Sequence, residues 1–273
     1  MINSQNNLTL AAIDIGTTNC RLLIAKPDQA GFRVVDSFSK VVRLGEGAFQ
    51  TNTLSEKAIV RTISALDVRN QCSGFIYALS VADQFIKTGM YKNILVIGAE
   101  NHSGGLERST RGRNVSVIFG DGAGAAILSR SEEKGKGILS SHLHSEGKHA
   151  KELVLEGPST QRWVPEIMAE NDPDDVSYYP YMNGQFVFKH AITRFSEAIV
   201  EGLEANGLEK EDIDMLIPHQ ANLRIAQFIQ RKFRLEDDKV HNNIMKYGNT
   251  TAASVIIALT EAWELGKIKD NDL

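Results

Sequence analysis

The sequence is poor in cysteine, proline and tryptophan, and it contains no long apolar run. Its 273 residues include two cysteines, Cys20 and Cys72, together with six prolines and two tryptophans. Two cysteines are too few for the disulfide framework of a small secreted domain, so they favour a reducing cytoplasm. The longest apolar runs, such as residues 94–99, are far shorter than the roughly 20 residues that a membrane-spanning helix needs. We therefore predict a soluble, cytoplasmic protein.

The sequence also lacks an excess of charge of either sign. It has 30 lysines and arginines against 34 aspartates and glutamates, which gives a formal net charge of −4. This balance excludes a general attraction to nucleic acid or to an anionic membrane surface. The first basic residue is Arg21, so the N-terminal residues do not have the pattern of a signal peptide. With 42% hydrophobic and 23% charged residues, the composition is typical of a globular protein with an ordinary core.

The first part of the chain is predicted to form three strands and a helix. Residues 8–15, 21–25 and 32–35 are apolar runs that end at turn residues, as strands do. Residues 54–66 then place apolar side chains at helical spacing. This β-β-β-α order is typical of the start of an α/β domain.

From residue 67 onwards the predicted strands and helices alternate. This alternation indicates a layered and mostly parallel α/β fold. The change of pattern predicts two regions, residues 1–66 and residues 67–273. In the second region the predicted strands cover residues 93–98, 115–119, 125–128 and 215–217, and the predicted helices cover residues 73–88, 186–206, 223–233 and 250–265.

Cys72 lies where a short extended segment passes into the helix predicted from residue 73. At a helix N-terminus, unpaired N–H groups and the helix dipole favour the thiolate, which is the nucleophilic form of cysteine. The same N–H groups can stabilise an oxyanion on a bound thioester. The alternative is that Cys72 is a small buried residue at a tight strand–helix contact.

Two further residues have the chemistry that a reactive thiol would need. His219 follows a predicted buried strand, and functional side chains of open α/β sheets lie at the carboxyl ends of strands. Asn249 precedes the last predicted helix, where its amide can donate a hydrogen bond to an oxyanion. The alternatives are a satisfied structural histidine and an ordinary turn or helix cap. A thiol, an imidazole and an amide together are the side chains that acyl transfer uses.

Five motifs occur in order after residue 67: NQCSGFIYALSVADQFIKTG, VSVIFGDGAGAAIL, MNGQFVFKHA, IPHQANLRIAQ and YGNTTAASVIIAL. As a set they resemble the β-ketoacyl-acyl-carrier-protein synthase III branch of the thiolase-like condensing enzymes. The resemblance implies a layered α/β fold in which Cys72 of one half faces His219 and Asn249 of the other. It implies that Cys72 accepts an acyl group from acyl-CoA, while His219 and Asn249 assist the decarboxylation of malonyl-acyl-carrier protein. This condensation initiates fatty acid biosynthesis.

The same resemblance implies binding residues and partners. Arg113 corresponds to a residue near the CoA nucleotide, and Phe188 and Asn222 correspond to residues that line the pantetheine tunnel. Lys189 and Arg224 correspond to positions at which the acidic carrier protein docks. Each of these five is also compatible with a solvated charge or an ordinary core residue. A homodimer is implied, with acyl-CoA as a substrate, no separate cofactor and no metal.

A second resemblance covers residues 8–66. The segments AAIDIGTTNCRLLIA, VVRLGEG and LSEKAIVRTISAL are similar to the start of the exopolyphosphatase/guanosine-pentaphosphate phosphatase family, which belongs to the actin-like ATPase superfamily. A turn of small residues that offers N–H groups suits a phosphate, and the alternative is an ordinary hairpin turn. The resemblance implies that the residues facing phosphate or its metal are Asp14, Gly16, Thr17, Thr18, Asn19 and Arg21.

The two resemblances meet near residue 66, and each family has elements that this sequence does not show. The condensing enzymes have strands before the nucleophile and a late Gly-rich loop that supplies half of the oxyanion hole. The phosphatases have a second phosphate loop and a catalytic acid. Either the front segment completes the thiolase-like fold, or the chain is an inactive chimera. We therefore expect a condensing acyltransferase first, a phosphate-binding fragment second, and a non-catalytic protein that keeps only a dimer surface third.

Overall fold

The computed structural model describes residues 10–15, 19–28, 31–41, 66–133, 135–157 and 176–273. The chain divides into two compact units, Met1–Asp67 and Val68–Leu273. Within the described residues, no helix combines the length and the apolar character that crossing a bilayer requires.

The first unit contains an antiparallel sheet of three consecutive strands. They are β1 (Leu10–Ile15), β2 (Asn19–Asp28) and β3 (Gly31–Val41). The three predicted strands are confirmed, although β2 and β3 extend further than the apolar runs that predicted them. The helix predicted from residue 54 lies outside the described residues.

The described part of the second unit contains four strands and six α-helices. Short 3-10 turns occur at Gln71–Ser73, Gly147–Glu152, Val176–Tyr178, Lys210–Asp212 and Asp237–Lys239. The strands are β4 (Asn93–Glu100), β5 (Gly122–Ser129), β6 (Leu153–Val154) and β7 (Tyr181–Met182), and the helices are α1 (Gly74–Lys87), α2 (Arg113–Ser116), α3 (Gly184–Asn206), α4 (Leu223–Phe233), α5 (Ile244–Tyr247) and α6 (Ala253–Glu264).

Three sequence predictions about this unit were wrong. Residues 215–217 do not form a strand, and Leu216 makes an isolated parallel bridge to Val240 instead. Residues 115–119 do not form a strand, because α2 occupies their first part and Phe119 makes an isolated bridge to Asn249. The sheets are not mostly parallel, since β4 pairs with β5 and β6 pairs with β7 in antiparallel ladders. The segment between β4 and β5 contains no helix long enough for a parallel crossover, so the chain simply reverses.

The core forms where α1 and α6 cover one face of the β4–β5 sheet. Three residues are buried there: Phe75 of α1, Val96 of β4 and Ile256 of α6. Glycine allows the close approach of α6, because a Cβ atom on Gly98 would lie 2.8 Å from the backbone oxygen of Ala252. The first turn of α6 is thereby held against the strand that leads away from the Cys72 helix.

Candidate active site

Cys72 occupies a sharp turn immediately before α1. The preceding residue, Gln71, has φ of 48°, in the left-handed region that residues other than glycine rarely adopt. The turn is fixed by the Ser73 hydroxyl, which donates to the Asn70 carbonyl oxygen over 3.1 Å. Backbone strain of this kind is concentrated at functional sites. The conformation places the half-buried thiol at the start of the helix, as the sequence predicted.

The protonation state of Cys72 differs from the expectation. Burial, reinforced by the negative charge of Glu100, raises the pKa of the Cys72 thiol to about 11. The prediction that the helix N-terminus favours the thiolate was therefore wrong. The physical reason is that loss of hydration and a carboxylate on β4 both oppose a negative charge at this position. The site holds a thiol at neutral pH.

His219 lies in the loop before α4, and a hydrogen bond fixes its imidazole ring. Its Nδ1 atom is 2.6 Å from the Oγ atom of Ser254 on α6. Burial lowers the pKa of His219 to about 4, so the ring is neutral at pH 7. The other ring nitrogen, Nε2, is buried and has no hydrogen-bond partner among the described residues. A neutral imidazole with one nitrogen uncommitted suits hydrogen bonding to a substrate oxygen.

Gln220 anchors the loop that carries His219. The side chain is buried, and its Nε2 atom donates to the Pro218 carbonyl oxygen over 2.8 Å. Its Oε1 atom accepts from the backbone N–H groups of Asn243 and Ile244, over 2.9 and 3.1 Å. The loop is thus joined to the segment before α5. The sequence analysis did not identify Gln220 or Ser254. Gln220 directly follows His219 in IPHQAN, and this position could have indicated a role in holding the His219 loop.

Asn249 is buried, and the turn before α6 holds both its backbone and its amide. Its N–H donates to the Ile118 carbonyl oxygen over 2.8 Å, and its carbonyl oxygen accepts from the N–H of Gly120 over 3.0 Å. The side-chain Oδ1 accepts from the N–H of Thr251 over 2.9 Å. Because Oδ1 is the acceptor in this turn, Nδ2 is the end of the amide that can serve a ligand.

A cavity of about 1110 Å³ joins Cys72 to His219, both of which line it. Most of its wall is apolar, so it suits an acyl chain better than a charged ligand. Asn249 does not line the cavity, but its bridge partner Phe119 and its hydrogen-bond partner Thr251 do. Other apolar lining residues include Ile76, Leu155, Phe195, Ile199 and Ile217.

The three residues predicted to bind CoA and pantetheine do not line this cavity. Arg113 is the exposed first residue of α2, and Phe188 is half-buried on α3. Asn222 is the N-cap of α4, where its Oδ1 accepts from the N–H of Arg224 over 2.9 Å. The two residues predicted to dock the carrier protein, Lys189 and Arg224, are both exposed, on α3 and α4.

The predicted phosphate loop of the first unit is described in part. Asp14 lies in β1, directly opposite Arg21 of β2. Asn19 is the first residue of β2. Gly16, Thr17 and Thr18 lie outside the described residues. The phosphate loop therefore stays a prediction.

One cluster among the described residues offers ligand atoms for a metal ion. Atoms of Glu146, His149 and His190 all lie within 4.8 Å of one another. Glu146 already contacts the side chains of Lys148 and Arg194, over 2.6 and 2.9 Å, and these contacts lower its pKa to about 2. Two cationic groups beside the carboxylate oppose a divalent cation, so we interpret the cluster as an ion-pair network.

Comparison with protein families gives two separate matches. Residues 66–147 match the model of 3-oxoacyl-[acyl-carrier-protein] synthase III, and residues 203–273 match the C-terminal model of the same enzymes. A β-ketoacyl-[acyl-carrier-protein] synthase III of Caldanaerobacter subterraneus is 46% identical over 210 residues, which are 77% of this chain and 61% of that protein. The synthase of Bacillus pumilus is 38% identical over 272 residues, covering 97% of this chain and 80% of the relative.

Solved structures show the same relationship. The 3-oxoacyl-[acyl-carrier-protein] synthase III of Aquifex aeolicus superposes with a TM-score of 0.68 at 40% identity, covering 80% of this chain and 63% of that one. The Thermus thermophilus enzyme superposes with a TM-score of 0.67 at 34% identity, and the match covers 84% of this chain and 66% of that one. The fold is therefore the thiolase-like α/β fold of these enzymes. The chain spans 61% of the length of the Caldanaerobacter relative.

These matches bear on the predicted junction of two families. The Bacillus pumilus alignment covers 97% of the chain, so it includes most of residues 1–66. The relatives and structures named above are all condensing enzymes. They give no support to the phosphatase resemblance or to a chimera.

Proposed function

The chain belongs to the 3-oxoacyl-[acyl-carrier-protein] synthase III family, and we propose that it condenses an acyl group carried on Cys72 with malonyl-acyl-carrier protein. The acyl donor is acyl-CoA, which acts as a substrate, and no further cofactor takes part. The proposed setting is the initiation of fatty acid biosynthesis in the cytoplasm. The observation that carries the proposal is the apolar cavity that Cys72 and His219 share.

In the first half-reaction Cys72 becomes acylated. Its Sγ atom bonds to the carbonyl carbon of the acyl-CoA thioester as the bond from that carbon to the sulfur of CoA breaks. The thiol proton leaves with CoA as the CoA thiol. The backbone N–H of Cys72, which lies within hydrogen-bond reach of its own sulfur, is proposed to stabilise the oxyanion of the intermediate.

In the second half-reaction His219 and Asn249 stabilise the enolate. When the malonyl carboxylate leaves as carbon dioxide, the electron pair of the broken bond places negative charge on the thioester oxygen. Neutral His219 and the Nδ2 group of Asn249 supply hydrogen bonds to this oxygen. The carbanion then attacks the acyl carbon on Cys72. The Sγ–carbon bond breaks, and Cys72 takes up a proton to return to the thiol.

The mass of the intact protein after incubation with acetyl-CoA tests the first half-reaction. We expect one acetyl group on the wild-type chain and none on Cys72→Ser, because oxygen at this site is a much weaker nucleophile. Circular dichroism of both proteins controls for folding. Folded wild-type protein that gains no acetyl group would contradict the proposal and favour a non-catalytic role.

Binding of the partners is part of the proposal. Arg113, Phe188 and Asn222 are proposed to contact the CoA and pantetheine groups. The exposed cations of Lys189 and Arg224 are proposed to dock the acidic carrier protein, since opposite charge speeds association. Weaker binding of carrier protein to Lys189→Glu and Arg224→Glu, with unchanged acetylation by acetyl-CoA, is the expected result.

We also propose a homodimer formed through the β4–β5 sheet. Leu95, Ile97 and Ile127 are 56%, 49% and 74% exposed. Leu95 and Ile127 are directly opposite in the ladder, so they share the face that points away from α1 and α6. An exposed apolar sheet face of this kind is typical of a subunit interface.

No second activity is proposed for the first unit. The phosphate loop of this unit remains a prediction from the sequence, with the residues Asp14, Gly16, Thr17, Thr18, Asn19 and Arg21. Release of phosphate from polyphosphate by the purified chain is the assay that would establish it.

A further inference from the structure

Ser254 is buried beside His219, and its hydroxyl takes part in two hydrogen bonds among the described residues. Its side chain is 2% exposed. Its Oγ atom lies 2.6 Å from Nδ1 of His219 and accepts from the backbone N–H of Gln220 over 3.4 Å. Ser254 lies on α6 and His219 before α4, so the contact joins two elements around the cavity.

The donors and acceptors in this contact can be assigned by counting hydrogens. A serine hydroxyl has one hydrogen to donate and two lone pairs that accept. The N–H of Gln220 can only donate, so it uses one lone pair of Oγ. The hydroxyl hydrogen must then go to Nδ1 of His219, which is the acceptor that lies within reach.

The opposite arrangement is unfavourable. If Nδ1 carried the proton and donated to Oγ, the Ser254 hydroxyl hydrogen and the lone pair of Nε2 would both be buried without partners among the described residues, whereas a proton on Nε2 leaves only that one N–H unpaired. A buried donor without a partner destabilises a structure more than a formed hydrogen bond stabilises it. Burial also keeps the ring neutral at pH 7, since the pKa of His219 is about 4. The ring therefore carries one proton, and the two nitrogens compete for it.

We propose that Ser254 is a positioning residue that holds His219 in the tautomer with its proton on Nε2. In this tautomer the imidazole donates a hydrogen bond from Nε2, and it cannot act as a base through that atom. The inference rests on the proposed function, because it explains how His219 serves as a donor to the enolate oxygen. It assigns to α6 a part in the second half-reaction and none in the acylation of Cys72.

The tautomer can be observed directly by NMR on the full chain labelled with ¹⁵N-histidine. Protonated and unprotonated imidazole nitrogens have well-separated ¹⁵N shifts, and loss of signals in His219→Gln assigns them. We expect Nε2 to carry the proton at pH 7 in the wild-type protein. A wild-type spectrum with the proton on Nδ1 would overturn the proposal, and this result does not depend on any activity.

Ser254→Ala tests whether the hydroxyl is the cause. We expect the shifts of the two nitrogens to move towards each other, as both tautomers become populated. With malonyl-CoA as the probe, kcat for decarboxylation should fall about tenfold while KM changes little. Acetylation of Cys72 should be unchanged, and Ser254→Thr, which restores a hydroxyl, should recover both the shifts and the rate.

Ser196→Ala is the matched control. Ser196 is also buried, and its hydroxyl donates to the Ile192 carbonyl oxygen over 2.7 Å, away from His219. It should leave the His219 shifts and the decarboxylation rate unchanged. Unaltered shifts in Ser254→Ala, or an equal loss of rate in Ser196→Ala, would overturn the proposal. A wild-type chain with the Nε2 proton but no decarboxylation would overturn the proposed function instead.

Discussion

At the scale of single residues, the environment of Cys72 differs from what its local sequence indicates. The sequence correctly predicted that Cys72 lies immediately before a helix. The charge that opposes the thiolate comes from Glu100 on β4, which the fold brings near Cys72 from a distant part of the chain. Burial of the thiol is the larger cause of the raised pKa. Neighbouring residues in the sequence show neither this burial nor the contact with Glu100, so the direction of the pKa shift could not be predicted.

Removal of the Glu100 charge should make Cys72 more reactive. Glu100 raises the pKa of Cys72, so Glu100→Gln should lower that pKa below its value of about 11. More thiolate is then present at each pH, and the midpoint of the pH profile for alkylation by iodoacetamide should move to lower pH. Glu132→Gln removes a charge at an exposed position and should leave the profile unchanged. A profile that does not move in Glu100→Gln would show that burial alone sets the pKa.

At the scale of elements, amphipathic spacing predicted the helices well and the strands less reliably. Helix α4 begins and ends at its predicted residues, because Ile225, Ile229 and Phe233 recur on its buried side. The alternating apolar residues of 115–119 fit a strand equally well, but the segment forms α2 and one bridge to Asn249. Long-range pairing decides such short segments, and a single sequence does not contain it.

The contact of α6 with the sheet should depend on Gly98. A Cβ atom at this position would lie 2.8 Å from the Ala252 oxygen and 3.2 Å from the Ala253 Cα, which are backbone atoms with little freedom to move. Gly98→Ala should therefore lower the free energy of unfolding by about 1–3 kcal/mol, as overpacked cores do. Urea unfolding measures this change. Gly104→Ala is the control, since a Cβ atom there meets nothing within 4 Å, and equal effects of the two variants would contradict the expectation.

At the scale of the whole molecule, the candidate site depends on contacts between distant parts of the sequence. The sequence motifs predicted Cys72, His219 and Asn249 as catalytic residues. Cys72 and His219 line one cavity. Their meeting could be expected only from the family resemblance, because nothing in the residues between them specifies it. Ser254 and Gln220 were missed for the same reason, since their partners are known only once the chain has folded.

Subunit association should depend on the exposed face of the β4–β5 sheet. Ile127→Lys places a charge at the centre of the proposed interface, opposite Leu95 in the ladder. We expect the wild-type chain to sediment as a dimer and Ile127→Lys as a monomer with unchanged circular dichroism. Leu155→Lys alters the cavity and should leave the dimer intact. A monomeric wild-type chain would contradict the proposed dimer.

The protonated state of Cys72 also affects how fast this side chain reacts with oxidants. Hydrogen peroxide reacts with thiolates and hardly at all with thiols. With a pKa of about 11, about one Cys72 side chain in ten thousand is ionised at pH 7. The resting protein should therefore resist conversion of Cys72 to sulfenic acid and the irreversible steps beyond it. A thiol with so high a pKa is thereby preserved through oxidative stress.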